Sequence, residues 1–174
     1  MKIGELAPAL ALPDTSGETR SLPAAGEAAA TVVLWTCNHC PYAIAWHERI
    51  EDAARDYGES GVRVLAVNSN DGERYPADSF EAMRERVEAE DWTFPYLHDA
   101  DQEAARAFDA KVTPHLFVLD SELRLAYEGA PDADHRDPSL EAVWLREALD
   151  HVLSGRQPER AETEPVGCSI KWRK

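Results

Sequence analysis

The amino-acid sequence predicts an α/β protein: a central mixed sheet with helices on both faces and a β-hairpin in front. Two continuous apolar, β-branched runs, residues 31–36 and 62–67, have the character of strands buried on both faces. Each is followed by apolar residues at helical spacing, so strands alternate with helices and most of the sheet is parallel. The 174 residues make one domain at the usual ~150 residues per domain.

Ahead of the first run, residues 6–22 alternate short apolar pieces with turn residues. Pro13-Asp14-Thr15-Ser16-Gly17 turns the chain between two short strands. The 31–36 strand ends against Cys37. From about Asn38 to Tyr57 a helix is expected, with Ala43, Trp46, Ile50, Ala53, Ala54 and Tyr57 on one stripe. The 62–67 strand leaves through Asn68-Ser69-Asn70-Asp71-Gly72, which reads as a solvated turn, although Asp71 could also face a cation. Asp78 and Glu81 have the spacing of a capping box, with Asp in the hydroxyl residue's place, ahead of a helix carrying Phe80, Met83 and Val87. Residues 94–98 form a short strand, and Asp99 with Gln102 caps a short helix through Phe108. Thr113-Pro114 opens a strand at 115–119, and Asp120-Ser121-Glu122 turns it into an antiparallel partner at 123–127. Asp137-Pro138 supplies the cap and first residue of a last helix, to about Ser154. Residues 1–155 constitute the domain and 156–174 a tail, whose Ile170 and Trp172 argue that it packs back on the domain.

The chain carries 33 acidic and 18 basic residues, a net charge of -15. That excess argues against nucleic acid or an anionic membrane as partner. No stretch approaches the ~20 apolar residues of a membrane helix, and the N-terminus lacks the apolar core of a secretion signal. The expected location is cytoplasmic. The three cysteines, Cys37, Cys40 and Cys168, are no disulfide framework. Two of them form C-x-x-C, which in that setting means redox or metal chemistry.

The segment Trp35-Thr36-Cys37-Asn38-His39-Cys40-Pro41 carries the sharpest chemical signal. A thiolate, not a thiol, is the nucleophile, and a helix N-terminus stabilises negative charge on sulfur. The expected placement puts Cys37 at that terminus as attacking thiol, Cys40 one turn on as the resolving thiol, and a protonated His39 beside them, lowering the Cys37 pKa. A zinc site is the rival: Cys168 and one histidine could complete Cys₃His, but no second C-x-x-C is present. Cys168 is either a third redox thiol docked near the pair or an inert, buried small residue.

A buried strand ending in Trp-x-Cys-x-x-Cys, then a helix, and later Thr113-Pro114 opening a strand, resembles the thioredoxin fold. Gly4-Glu5-x-Ala7-Pro8 and Leu12-Pro13-Asp14-x-x-Gly17 resemble the redoxin branch of that fold, the alkyl hydroperoxide reductase/thiol-specific antioxidant group. Thr36 to Tyr42, Asn68 to Asp71 and Gly167-Cys168-Ser169-Ile170-Lys171-Trp172 are similar to a peroxiredoxin-like subgroup within it. The resemblance implies a thioredoxin-like fold with Pro114 cis against the cysteine pair, and Thr113 offering backbone groups to a bound substrate chain. It implies a thiol-disulfide oxidoreductase in which Trp35, Thr36, Asn38, His39, Thr113 and Pro114 tune the pair or hold substrate. The partners are a protein or small-molecule disulfide and a thiol reductant; no bound cofactor is required. Two departures stand out. Counting back from Cys37, the Pro and Thr/Ser of the peroxide-reducing pattern are replaced by Ala30 and Leu34, and counting back from Cys40 by Val33 and Cys37, so a thiol peroxidase is the second choice. The acid that thioredoxins bury in the preceding strand is absent, with Thr31 in its place, so another group must take the resolving thiol's proton.

Overall fold

The computed structural model describes all residues, 1–174. Five strands form the central sheet in the order β5-β4-β3-β7-β8. They are β3 (Ala30–Trp35), β4 (Val62–Asn68), β5 (Tyr96–His98), β7 (His115–Leu119) and β8 (Leu125–Gly129). β3, β4 and β5 run parallel, while β7 and β8 add an antiparallel half. The N-terminal hairpin is β1 (Ala11–Pro13) with β2 (Thr19–Ser21), and its turn is tied by Asp14, which accepts from the Ser16 and Glu18 amides.

Alternation along β3 sorts the core into two layers. Ala30, Val32 and Leu34 face α1 (Pro41–Gly58), α2 (Phe80–Glu90) and α4 (Val143–Leu153), in a cluster that includes Trp46, Ile50, Met83, Leu145 and Leu149. Val33 and Trp35 face the other way, onto α3 (Glu103–Phe108), Leu10 and Ile170. Every residue of β3 is buried, as a continuous apolar run between two helical layers requires. Because β3 and β4 are parallel neighbours, the loops leaving their C-terminal ends lie side by side, and this brings residues 68–71 up against the cysteine loop.

Three helix starts differ from the sequence expectation. α1 begins at Pro41, not Asn38, because the residue before a proline is held out of the helical region: Cys40 has φ -73 and ψ 122. α2 is capped by Ser79, whose Oγ accepts from the Ala82 amide; Asp78 ends a short 3₁₀ turn and points inward. Asp137 caps only a 3₁₀ turn over Pro138–Leu140, and α4 starts after Glu141 and Ala142, both at positive φ.

The tail is bound at two places. Residues 161–163 run beside β8: the Glu128 amide donates to the Ala161 carbonyl, and the Thr163 amide to the Glu128 carbonyl. Further on, β9 (Cys168–Ser169) pairs antiparallel with β6 (Val112–Thr113), with Thr113 opposite Cys168. Ile170 is buried beneath the sheet, Arg106 lies over the Trp172 ring, and the Arg173 amide donates to Gln102.

Asp132 ties α1 to α4. Its buried carboxylate accepts from Trp46 Nε1, from Arg49 Nη1 at 2.8–2.9 Å and from the Ala142 amide. Removing one partner of a buried ion pair strands the other and costs about 3–5 kcal/mol. Asp132→Ala should therefore lose stability on the order of 3 kcal/mol in urea denaturation, whereas Asp134→Ala on the exposed rim should change it little.

Candidate active site

β3 delivers Trp35 and Thr36, then the chain bends through Cys37-Asn38-His39 before Cys40 and Pro41 start α1. The helix-terminal place expected for Cys37 thus belongs to Cys40. Its carbonyl accepts from the Ile44 amide at 3.0 Å, and its sulfur receives the Ala43 N–H. Cys37 lies one loop turn earlier, against Thr113: its Sγ is 3.2 Å from Thr113 Oγ1. The Thr113–Pro114 peptide is cis. Cys40 Sγ lies 3.1 Å from the Thr113 carbonyl, which accepts the thiol proton whenever that sulfur carries one. All three cysteines are free thiols, and they pack together. Cys37 and Cys40 are 0% exposed, while Cys168 is partly exposed.

The proton distribution among the sulfurs follows from their donors. Cys40 is held down to about 4, first by the hydrogen bond from Cys37 and then, against burial, by those from Cys168, the Ala43 amide and Thr113. These donors outnumber the one carbonyl that opposes a charge on Cys40. Cys37 is pushed up, first as the donor to Cys40, then by its own burial and by the negative Asp78 nearby. Cys168 is raised to about 11 by burial and by the charge on Cys40, with Lys171 opposing. Of the two thiols of the pair, Cys40 is the one held down and Cys37 the one pushed up.

Asp78, fully buried, is the acid that the sequence reading of β3 lacked. Its Oδ1 accepts from the Asn38 amide at 2.6 Å and Asn68 Nδ2 at 3.2 Å; its Oδ2 accepts from Asn70 Nδ2 at 3.0 Å and bonds His39 Nδ1. Cys37 Sγ, a His39 ring nitrogen and an Asp78 oxygen all lie within 4.8 Å of one another. His39 thus addresses Asp78, and Tyr75 stacks on its ring. The Asp-x-x-Glu spacing directed attention to helix capping. The usable signals were Ser79, an equally good cap one residue later, and two asparagines at a strand end that would need a buried partner.

The 68–71 loop is buried, not a solvated turn. Asn68 and Asn70 serve Asp78, and Ser69 accepts from Trp35 Nε1 and donates to Asp99. Asp71 is buried too, and its amide donates to the Lys171 carbonyl of the tail. Trp35 faces the opposite side of the sheet, between Phe108 and Phe117, and reaches the 68–71 loop through its bond to Ser69. Thr36 is buried, with its amide on the Val67 carbonyl. Asn38 accepts from Tyr96 at 2.9 Å and donates to the Ala77 carbonyl, while Arg86 donates to the Cys37 carbonyl. The strand edge at Thr113, expected to receive a substrate chain, is taken by residues 167–169 of the same molecule.

The AhpC/TSA family pattern matches residues 3–128. The chain belongs to the AhpC/TSA family. Two solved structures of its kind align over 99% of the chain. An uncharacterized conserved protein from Geobacillus kaustophilus is 37% identical, with 93% of its length covered and a TM-score of 0.93. A hypothetical protein from Sinorhizobium meliloti 1021 is 34% identical, with 96% covered and a TM-score of 0.92. Peroxidoxin BcpB from Mycobacterium tuberculosis shares the fold at 19% identity, over 89% of this chain and 97% of its own, with a TM-score of 0.65. No curated protein matches. In this AhpC/TSA chain the mixed sheet and the cis proline give the thioredoxin-like architecture that the sequence resemblance implied.

Gly167 is what lets the tail lie so close. A Cβ there would fall 1.9 Å from the Thr113 carbonyl oxygen, so any other residue must lift the strand. Gly167→Ala should expose the pair: native-state alkylation of Cys40 by iodoacetamide, read by mass spectrometry, should quicken relative to wild type. An unchanged rate would mean that the tail does not limit access.

Proposed function

We propose that this protein is a thiol-disulfide oxidoreductase whose redox pair is Cys37 and Cys40. The observation that carries the proposal is the contact of these two free thiols, three residues apart, buried against Thr113 at the C-terminal end of β3. Its substrate class is a protein or small-molecule disulfide, and a thiol reductant restores the pair. No bound cofactor is needed.

The place of Cys40 at the N-terminus of α1, together with its donors, supports Cys40, not Cys37, as the attacking sulfur. Cys40 carries the stabilised charge and attacks a substrate sulfur; the substrate's other sulfur leaves as thiolate, and a mixed disulfide remains on Cys40. Cys37 then attacks the Cys40 sulfur, releasing the second substrate thiolate and closing the Cys37–Cys40 disulfide. Cys37 must shed its proton in that step. The His39–Asp78 pair, within reach of its sulfur, is the acceptor this proposal assigns.

A thiol peroxidase remains the alternative that the family suggests. Against it, the hydroxyl residue and the proline of the peroxide-binding pattern are missing on either count: Leu34 and Ala30 stand there before Cys37, and Cys37 and Val33 before Cys40. Neither count places a hydroxyl or a proline where that pattern holds the peroxide. Oxidation by hydrogen peroxide should then run at the pace of an ordinary thiolate; a stopped-flow rate many orders higher would promote the peroxidase. A metal-holding module using Cys37, His39 and Asp78 would show itself as stoichiometric zinc in protein purified under reducing conditions.

Thiolate absorbance at 240 nm gives the direct test of charge placement. In Cys37→Ser it should persist at neutral pH, held by the Ala43 amide and the remaining donors to Cys40, with its step shifted upward by the loss of the Cys37 thiol. In Cys40→Ser it should vanish at neutral pH, where the remaining thiols are protonated. Either substitution should abolish turnover of a disulfide substrate. Asp78→Asn should slow closure of the Cys37–Cys40 disulfide most at low pH, and less as hydroxide becomes able to take the proton. Persistence of the absorbance in Cys40→Ser and not in Cys37→Ser would return the attacking role to Cys37.

A further inference from the structure

Both sulfurs of the pair are 0% exposed, and the tail strand lies over the edge they share. A catalytic disulfide in that position needs an outlet. Cys168 faces Thr113 in register across the β6–β9 ladder and packs against Cys37, Cys40 and Ala43. Burial and the neighbouring Cys40 hold its thiol up. It is also the one cysteine of the three that solvent touches. Cys40 is therefore the middle sulfur of a row, with Cys37 on its buried side and Cys168 on its solvent side.

The tail is not loosely placed. Gly167 fits against the Thr113 carbonyl, and the Ile170 amide donates to the Lys111 carbonyl. The Lys171 amide donates to Asn70 Oδ1, and its carbonyl accepts from Gln102 Nε2 and the Asp71 amide. Asn70 is also a donor to Asp78, so the segment carrying Cys168 is pinned to the network that holds the pair.

We propose that Cys168 is the exchange point through which the buried pair trades disulfides with a low-molecular-weight thiol, by way of a Cys40–Cys168 disulfide. This rests on the oxidoreductase proposal above and extends it to the reductant. In the oxidised protein the Cys168 thiolate attacks Cys40 Sγ; the Cys37–Cys40 bond breaks, and Cys37 leaves and is protonated from the His39–Asp78 side. An external thiolate then attacks Cys168 Sγ, and Cys40 departs as thiolate. A second external thiolate attacks the mixed disulfide on Cys168, releasing the external disulfide and the Cys168 thiolate, which takes up a proton. Two electrons pass from two external thiols to the pair. The exposed sulfur is the one attacked, and the most stabilised thiolate is the one that leaves, which is the faster direction of exchange. With Cys40 in a disulfide, burial still raises the Cys168 thiol, but the contribution of a negative Cys40 is gone.

Glutathione is the probe. Cys37→Ser treated with one equivalent of oxidised glutathione should lose two hydrogens in intact mass and yield tryptic peptides 21–49 and 161–171 joined by a disulfide. A lasting glutathione adduct on Cys40 with Cys168 free would overturn the relay. In parallel, Cys168→Ser, with an unchanged melting midpoint, should slow glutathione reduction of the Cys37–Cys40 disulfide by about tenfold or more. Full-speed reduction of that variant would sink the relay and leave the oxidoreductase reading standing. Failure of the wild type to form any Cys37–Cys40 disulfide would remove both.

Discussion

Thr113 meets all three cysteines. Its hydroxyl lies beside Cys37, its carbonyl beside Cys40, and its backbone pairs with Cys168. Each contact constrains the others. β7 holds Pro114 and Thr113 through an antiparallel ladder to β3, the strand that delivers Cys37, so the two sides of the site are tied by one register. Because the carbonyl is close to Cys40, a charge there needs several donors to outweigh it, and they are supplied from three directions: the helix terminus, Cys37 and Cys168. Because the tail lies on the same peptide, residue 167 has to lack a side chain.

Asp78 answers the question that the absence of an acid in β3 raises. A carboxylate fully removed from water is tolerable only if its oxygens are bonded. Here four groups do this, from two parts of the chain: Asn38 and His39 in the cysteine loop, and Asn68 and Asn70 at the end of β4 and just beyond it. The same residues thereby become fixed points. Asn38 is held by Tyr96 and Ala77, Arg86 clamps the Cys37 carbonyl, and Asn70 reaches the tail. His39 is thus tied through its ring nitrogen to Asp78 and stacked by Tyr75. A variant such as His39→Pro would remove that link and reshape the loop at once.

The architecture was legible because it follows from local periodicity. β3 and β4 announce themselves as unbroken apolar runs, α1 by its stripe through Trp46 and Ile50, and the parallel pairing by strand-helix alternation. The cysteine pair was legible as spacing, and Cys168 as a third thiol with two open readings. What escaped was set by long-range geometry. The polar 68–71 segment looks like solvated loop in composition, and nothing local says that a carboxylate ten residues later will bury it. Asp78 carries a capping spacing that is satisfied one residue further on. The start of α1 was legible but misjudged: the restriction that Pro41 places on Cys40 is local chemistry, and it moves the helix terminus, with its effect on charge, from the first cysteine to the second.

Burial and reactivity pull against each other at this site. Excluding water strengthens every hydrogen bond to the Cys40 sulfur, and the same exclusion narrows the approach of a disulfide from solution to the pair. Loosening the tail would open the site, but it would also withdraw the Cys168 donor and unpin Asn70, two of the supports on which the low-energy thiolate and the Asp78 network rest. A fixed tail that itself carries a thiol resolves the conflict without motion of the core. The sulfur that closes the site is then also the sulfur through which it communicates, and the exchange partner is selected by what can reach Cys168 beside Lys171, not by what can add a strand to Thr113.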